Sequence, residues 1–463
     1  MSKWEAMPAA AARRERPAKA TGARSAPGRR AAAGRGQPRA RASEQTLEQR
    51  MLLTATLCLL AFGAVMVYSA SSATSLLQGQ GNGSGYLVKF LIYGAIGLVV
   101  MHVLARDGVA KAQRVLAPLL VGSLALVLAV RVPHVGVSVN GARRWLGPGS
   151  LQFEPSELLK LALVLYSATL LARRPQRVHD LRALTRPLLL VIGGSCTLVA
   201  SQPDVGTAMV IAFTAAAMLV AAGMPLGRLA LVAAAALSLV FLYVLVKPYA
   251  RARLTSFLDP WAHASGSGFQ AVQGQIAIGS GGLFGVGPGQ SVQKIFYLPE
   301  APTDFILAVI GEELGAVGVC ALLFLYGLIA YAGLRVARAA RSLHSALIAV
   351  GLTSLIVSQA VLNVFAVLGL APLTGVPLPF VSYGSSSMVV MLAAMGLLLN
   401  VAGGASVHVR AVTARRTARS SDARRLQQAR WDGDRSAKED RDRGRGNRRA
   451  RGAGARGGAR AAG

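Results

Sequence analysis

The order of apolar and polar positions divides the chain into three parts. Residues 1–50 and 404–463 have no apolar periodicity. Between them, long apolar runs recur, separated by short polar stretches. About 20 apolar residues in a helix cross the hydrocarbon of a bilayer. Backbone groups find no water there, so helices are the expected form. The pattern predicts ten spans, at 51–72, 86–105, 114–131, 156–172, 186–201, 205–222, 226–246, 305–333, 343–369 and 382–402. The pair 186–201 and 205–222 is short and joined by one tight turn. The expected fold class is all-α: a polytopic membrane protein of about ten transmembrane helices, with a long outer loop between the seventh and eighth and disordered basic tails.

Composition sharpens this picture. Only 15% of the 463 residues are charged, well under the roughly 25% of a soluble domain. The charge is also unevenly placed. Residues 1–50 carry 12 Lys/Arg against 4 Asp/Glu, and residues 404–463 carry 17 against 6, so the tails hold much of the net +30. Ten spans put both tails on one side. That side also receives Arg106, Lys111, Arg114, Arg173, Arg174, Arg177, Arg182, Arg186, Arg228, Arg335, Arg338 and Arg341, and a positive excess marks the cytoplasmic face. The opposite loops 73–85, 202–204 and 370–381 contain no Lys or Arg. Two outer loops break the rule: 132–154 has Arg143 and Arg144, and 247–304 has Lys247, Arg251, Arg253 and Lys294. An anionic ligand on the outer face would account for them.

The tails, rich in Ala, Arg, Gly and Pro, are expected to be disordered. They could be drawn to anionic inner-leaflet lipid or dock an acidic cytoplasmic partner; a specific nucleic-acid role for 441–460 is the weakest reading. Cys58, Cys196 and Cys320 fall inside apolar spans, which argues for buried packing and against a disulfide framework. The first apolar run starts at Met51 and reads as a retained span, not as a cleaved leader.

The candidate chemistry lies toward the outer side. Loop 247–304 is too long for a plain connector. Arg251 and Arg253, just outside a span, could pair with phosphate oxygens or anchor to headgroups. The glycine-dense stretch Gly279–Gly289 follows no strand, so it is not a nucleotide fingerprint; it either approaches a ligand or packs on the bundle as a turn. Asp304 opens the apolar run that follows. At the lip of a span its pKa should rise, which suits a general base, but an Asp there also suits a helix cap. Glu312 and Glu313, eight and nine residues on, would lie roughly 12–13 Å deeper along a continuous helix, as functional intramembrane acids or as a structural pair to a neighbouring helix. Glu157 and Lys160 share one helix face at i, i+3 and could form an ion pair facing the interior. Pro155 fits the first turn of that helix. Asp204, in an outer turn, lies near the depth of Glu157, so Glu157, Lys160, Asp204 and Asp304 could form one polar cluster.

At these residues the chain resembles the SEDS family (shape, elongation, division and sporulation proteins), and within it the cell-division type, FtsW. The resemblance covers residues 51–403. It rests on VYSAS at 67–71, NGARRWL at 140–146, EPSELLK at 154–160, QPDVGT at 202–207, RLTSFLDP at 253–260, GSGGLFGVG at 279–287, YLPEAPTDFILAVIGEELG at 297–315 and PLTGVPLPFVSYGSSS at 372–387. Two positions depart from the family's usual pattern: Glu154 stands where Gln is usual, and Pro302 where His is usual.

The resemblance implies a peptidoglycan glycosyltransferase that polymerises lipid II, the undecaprenyl diphosphate-linked disaccharide peptide, outside the cell membrane. Its expected setting is the division septum, with a class B penicillin-binding transpeptidase and other division proteins as partners. The family's proposed catalytic aspartate aligns with Asp304, and its supporting acidic and basic residues with Glu157, Lys160 and Asp204. The α-linked donor and β-1,4 product imply inversion, hence one displacement and one base. The leaving diphosphate needs cations, for which Arg143, Arg144, Arg251, Arg253 and Lys294 are candidates, alone or with a divalent cation such as Mg or Mn; no dedicated metal-ligand cluster is visible. Two other classes fit ten spans with internal charges. A lipid II flippase should carry its charges near the midplane, whereas here they gather at the outer face. A non-catalytic division scaffold should tolerate mutation of the core charges.

Overall fold

A computed structural model of the chain describes residues 37–79, 83–139, 142–147, 152–173, 175 and 185–404. The chain divides into two units, Met1–Arg41 and Ala42–Gly463; the first is described only from Gln37. Ten apolar helices among the described residues answer to the ten expected spans. Seven are long and apolar enough to cross a membrane: α1 (Gln37–Leu77, apolar from Leu47), α2 (Gly85–Arg114), α4 (Pro155–Arg173), α7 (Leu226–Val246), α10 (Ile306–Ala339), α11 (Leu343–Val367) and α12 (Ser385–Gly404). Three are shorter: α3 (Leu116–Ala129), α5 (Pro187–Ala200) and α6 (Val205–Ala221). The long loop after α7 contains two more helices, α8 (Pro248–Leu258) and α9 (Phe269–Gly281). An antiparallel hairpin of β1 (Gly136–Val139) and β2 (Ala142–Leu146) precedes α4; periodicity did not foresee it.

Local chemistry explains where helices start. Pro155 opens α4, with Glu157 in its first turn and Arg173 in its last, the polarity a helix dipole favours. Asp204 caps α6 by accepting from Thr207 N at 3.2 Å, and Ser342 caps α11 by accepting from Ser345 N at 3.1 Å. α11 is the central helix and packs on α4, α6 and α10. α7, by contrast, leaves its apolar side chains exposed, as a lipid-facing surface requires.

Four expectations need correction. The tail read as disordered through residue 50 turns helical at Gln37, because the stretch from Ala42 to Arg50 is built from good helix formers with no Gly or Pro; residues 1–36 and 405–463 lie outside the described residues. Cys58 and Cys320 are exposed and Cys196 half-buried, all three free, so two of the thiols lie on the outer surface of the bundle instead of in its core.

The third correction concerns depth. α10 and α11 are joined by a three-residue turn, so position along both can be counted from it. Asn363 lies 20 residues beyond Leu343, about 30 Å of helix. Asp304 lies 35 residues before Ala339, about 52 Å on a straight helix. Yet Asn363 Nδ2 donates to the Asp304 carbonyl at 2.7 Å. Gly315 reconciles the two: its φ of 65° and ψ of −161° break α10. Residues 306–314 form a buried half-helix that folds back from Gly315 into the bundle. Glu312 and Glu313 therefore sit beside the break and no deeper than Asp304.

The fourth concerns residues 370–381, expected as an outer loop. They dip into the bundle: the Pro379 carbonyl accepts from Tyr326 Oη at 2.5 Å, and Tyr326 is only 13 residues before Ala339, about 20 Å from the turn. Backbone at that depth must be satisfied by protein. Pro372, Pro377 and Pro379 have no N–H to satisfy. Four carbonyls are met by side chains: Leu373 by Arg253 Nη1 at 2.9 Å, Val376 by Asn363 Nδ2 at 2.9 Å, Pro377 by Gln359 Nε2 at 2.9 Å, and Pro379 by Tyr326.

Candidate active site

Asp304 stands at the end of a turn and at the mouth of the folded-back half-helix. The turn is held by Thr303 N and Phe305 N, both donating to the Glu300 carbonyl. Tyr383 N donates to the Pro302 carbonyl at 2.9 Å, which ties the turn to the re-entrant loop. Thr303 Oγ1 donates to Asp304 Oδ1 at 3.2 Å. Burial, with the Glu300 carboxylate second, pushes the Asp304 pKa up from 3.8 to about 7; Arg253 is among the groups that pull it down. Such a carboxyl can take and return a proton near neutrality.

Gly375 of the re-entrant loop locates what Asp304 faces. A β-carbon built there would lie 3.8 Å from Asp304 Oδ2 and 3.9 Å from Arg144 Nη1. The carboxylate and the guanidinium thus converge on one point above a residue that has no side chain to fill it.

Arg144 reaches this point because strand periodicity separates it from its neighbour: on β2, Arg143 is exposed and Arg144 buried. Arg144 Nε donates to the Gln202 carbonyl at 3.1 Å, Nη2 donates to the Pro203 carbonyl, and Nη1 lies 3.6 Å from Asp204 Oδ1. Asp204 Oδ2 is buried without a hydrogen-bond partner among the described residues. Glu154 adjoins this pair. Its Oε1 accepts from Ser156 Oγ at 2.8 Å. Burial raises its pKa to about 8, helped by the Asp204 and Glu157 carboxylates and opposed by Ser156 and Arg144.

Glu157 and Lys160 form the expected i, i+3 pair, at 2.9 Å and fully buried. Lys160 Nζ also donates to Gln359 Oε1 at 2.7 Å. Glu157 Oε2 lacks a partner among the described residues, as does Asn363 Oδ1. No hydrogen bond or ion pair among the described residues joins Asp304 directly to Glu157, Lys160 or Asp204. The four expected residues share one region, but through intermediaries.

The remaining candidates fall elsewhere. Lys294 is buried and donates to Glu313 Oε1 at 2.7 Å, the Gly289 carbonyl at 2.7 Å and Ser69 Oγ at 3.1 Å. All three of its protons are used internally. Glu313 also accepts from Ser69 Oγ and Gly289 N, and Glu312 accepts from Ser291 Oγ, Val292 N and Gln293 N. The glycine-dense stretch packs on this half-helix: a β-carbon on Gly281 would meet the Gly311 carbonyl oxygen at 1.9 Å. Arg251 is exposed and donates to the Leu245 carbonyl; Arg253 is half-buried against Leu373. Among the described residues no group of three or more His, Cys, Asp or Glu is placed to hold a metal ion.

Sequence reasoning missed Gln359 and Asn363. The signal was there: two amides at i, i+4 inside the apolar run SQAVLNVF, where polar side chains are expected to bond across helices.

Residues 49–406 match the FtsW/RodA/SpoVE family, described as cell cycle protein. Stage V sporulation protein E of Bacillus subtilis is 37% identical over 359 residues, covering 78% of this chain and 98% of that one. The probable peptidoglycan glycosyltransferase FtsW of Coxiella burnetii is 39% identical over 355 residues, covering 76% and 95%. A solved chain from a peptidoglycan synthase complex, described as coordinating polymerization and crosslinking, superposes with a TM-score of 0.63 at 31% identity, covering 76% and 96%.

Proposed function

The chain belongs to the FtsW/RodA/SpoVE family of cell cycle proteins, and from that premise and the geometry around Asp304 we infer that it is a peptidoglycan glycosyltransferase which polymerises lipid II during cell division. The observation that carries the chemistry is the convergence of Asp304 and Arg144 on the point above Gly375.

Asp304 acts as the base. The 4-hydroxyl oxygen of the acceptor attacks the anomeric carbon of the donor, the bond from that carbon to the diphosphate breaks, and Asp304 takes the hydroxyl proton. The linkage inverts from α to β in one displacement. The undecaprenyl diphosphate leaves with growing negative charge. Arg144, which shares the point above Gly375 with Asp304, and Arg253, whose charge acts on Asp304, meet that charge; Arg143 and Arg251, more exposed, guide the anion toward it. Both substrates enter laterally from the bilayer. The site faces outward, the tails lie in the cytoplasm, and a class B penicillin-binding transpeptidase at the septum crosslinks the product.

The test is lipid II polymerisation by the purified full-length chain together with that transpeptidase. Wild type should yield glycan strands and a well-folded Asp304→Ala protein none. Wild-type yield from Asp304→Ala removes the base assignment. Lipid II movement across vesicles without strand formation would replace the polymerase with a transporter.

A further inference from the structure

Neither Glu157 nor Lys160 contacts Asp304, so their influence on the reaction has to pass through something else. The contacts show what. Lys160 Nζ, fixed by Glu157 at 2.9 Å, donates to Gln359 Oε1 at 2.7 Å. That bond orients the amide so that Gln359 Nε2 donates to the Pro377 carbonyl at 2.9 Å. One helical turn on, Asn363 Nδ2 donates to the adjacent carbonyl, Val376, at 2.9 Å and to the Asp304 carbonyl at 2.7 Å. Both amides are almost wholly buried. Positions i and i+4 on α11 share one face, so they hold consecutive carbonyls of the re-entrant loop. Gly375 directly precedes these two residues.

We propose that Gln359 and Asn363 are positioning residues of the polymerase: they lock the re-entrant loop to α11, Asn363 sets the Asp304 backbone against that loop, and the Glu157–Lys160 pair acts on the reaction through Gln359. The inference rests on the polymerase reading. It goes beyond it by giving the buried ion pair an indirect role and naming the two amides that transmit it.

Three observations argue against ordinary core packing for these amides. Asn363 bonds two chain segments 72 residues apart in sequence, Asp304 and Val376, and both border the convergence point. Its orientation is fixed, because both contacts are donated to carbonyls. The loop it serves has prolines where N–H groups would otherwise supply its own hydrogen bonds.

The experiment is steady-state polymerisation of lipid II by the full-length chain with its transpeptidase partner. The variants are Asn363→Ala, Asn363→Asp, Gln359→Leu, Lys160→Met and the Lys160→Met/Gln359→Leu double. Asn363→Ala and Gln359→Leu should lower kcat about 10- to 100-fold and leave KM for lipid II within about threefold, the signature of a misplaced base with intact binding. The acid limb of kcat should move to lower pH as Asp304 gains water. The double variant should be no slower than the slower single, because both act through one link.

Asn363→Asp keeps the shape but has at most one O–H to donate, so it cannot hold both carbonyls as the amide does, and it decides the matter if Asn363→Ala does not fold. Wild-type kcat and acid limb in a folded Asn363→Asp protein overturn the proposal. Multiplying losses in the double variant overturn the link from Lys160. Wild-type protein that makes no strands overturns the polymerase reading itself, and this inference with it; an active wild type with an unaffected Asn363→Asp overturns this inference alone.

Discussion

Two clusters of buried charge border the folded-back half-helix, and they are completed differently. Around Glu313, the carboxylate oxygens, the Lys294 protons and the Ser69 hydroxyl all find partners; so do both oxygens of Glu312. Nearby, the buried side-chain carbonyl of Gln293 has no partner among the described residues. Around Asp304, three buried acceptors have no partner among the described residues: Asp204 Oδ2, Glu157 Oε2 and Asn363 Oδ1. Buried polar groups are nearly always satisfied, and an exception calls for an explanation. A saturated cluster fastens a loop to a helix. A cluster with open acceptors around a carboxyl near neutrality keeps hydrogen-bonding capacity that the fold itself does not use. Charge and burial are alike in both places, so satisfaction is what separates structure from chemistry.

The sharpest way to break this comparison is to remove one acid from each cluster. Asp304→Asn should lower polymerisation by about 10²- to 10⁴-fold, the range for a lost general base, and leave the melting temperature unchanged. Glu313→Ala should do the reverse. It leaves Lys294 buried without its counter-charge, at a cost of about 3–5 kcal/mol, seen as a marked fall in melting temperature, with turnover per folded molecule largely kept. If Asp304→Asn unfolds the protein while Glu313→Ala only slows it, the two assignments are interchanged.

A second prediction follows from the Asp304 carboxyl, raised by burial to about 7. The base works only when ionised, so kcat should fall as pH drops through about 7. It should rise to a plateau above that, until other groups intervene. An acid limb near the ordinary carboxylate range would place Asp304 in water and remove the argument for its role.

Much of this was legible in the residues, for identifiable reasons. The ten helices follow from apolar run length, because a bilayer sets that length physically. The Glu157–Lys160 pair follows from i, i+3 spacing within one helix. What periodicity could not reach was chain reversal. The depth of Glu312 and Glu313 was misjudged because one glycine, Gly315, turns a continuous apolar pattern into two helices, and a glycine inside an apolar run carries no warning of its conformation. Residues 370–381 looked like an outer loop because they lie between two apolar runs and carry no Lys or Arg; the N–H groups missing from their prolines suit them to the interior. The internal partners of Lys294 were not legible because Ser69 and Glu313 arrive from segments distant in sequence.

The smallest expected effect concerns Glu154, which tests how finely the open cluster is balanced. Its carboxyl is held neutral up to about 8, by burial first and then by the Asp204 and Glu157 carboxylates. In the unfolded chain it would ionise at its ordinary value of 4.5. Between those values the folded protein holds a proton that the unfolded chain has released, so this group makes stability fall as pH rises through that window. Above about 8 the new charge also stands beside Asp204 and competes for Arg144, one of the two guanidiniums assigned to the leaving diphosphate. Wild-type kcat/KM should therefore decline by a few-fold above pH 8, roughly the effect of one nearby like charge. Glu154→Gln keeps the size and the acceptor for Ser156 Oγ and cannot ionise. It should match wild type at pH 7, abolish the alkaline decline, and leave the acid limb at Asp304 in place. A decline that persists in Glu154→Gln would move its origin to another group and leave Arg144 undisturbed by its carboxyl neighbour.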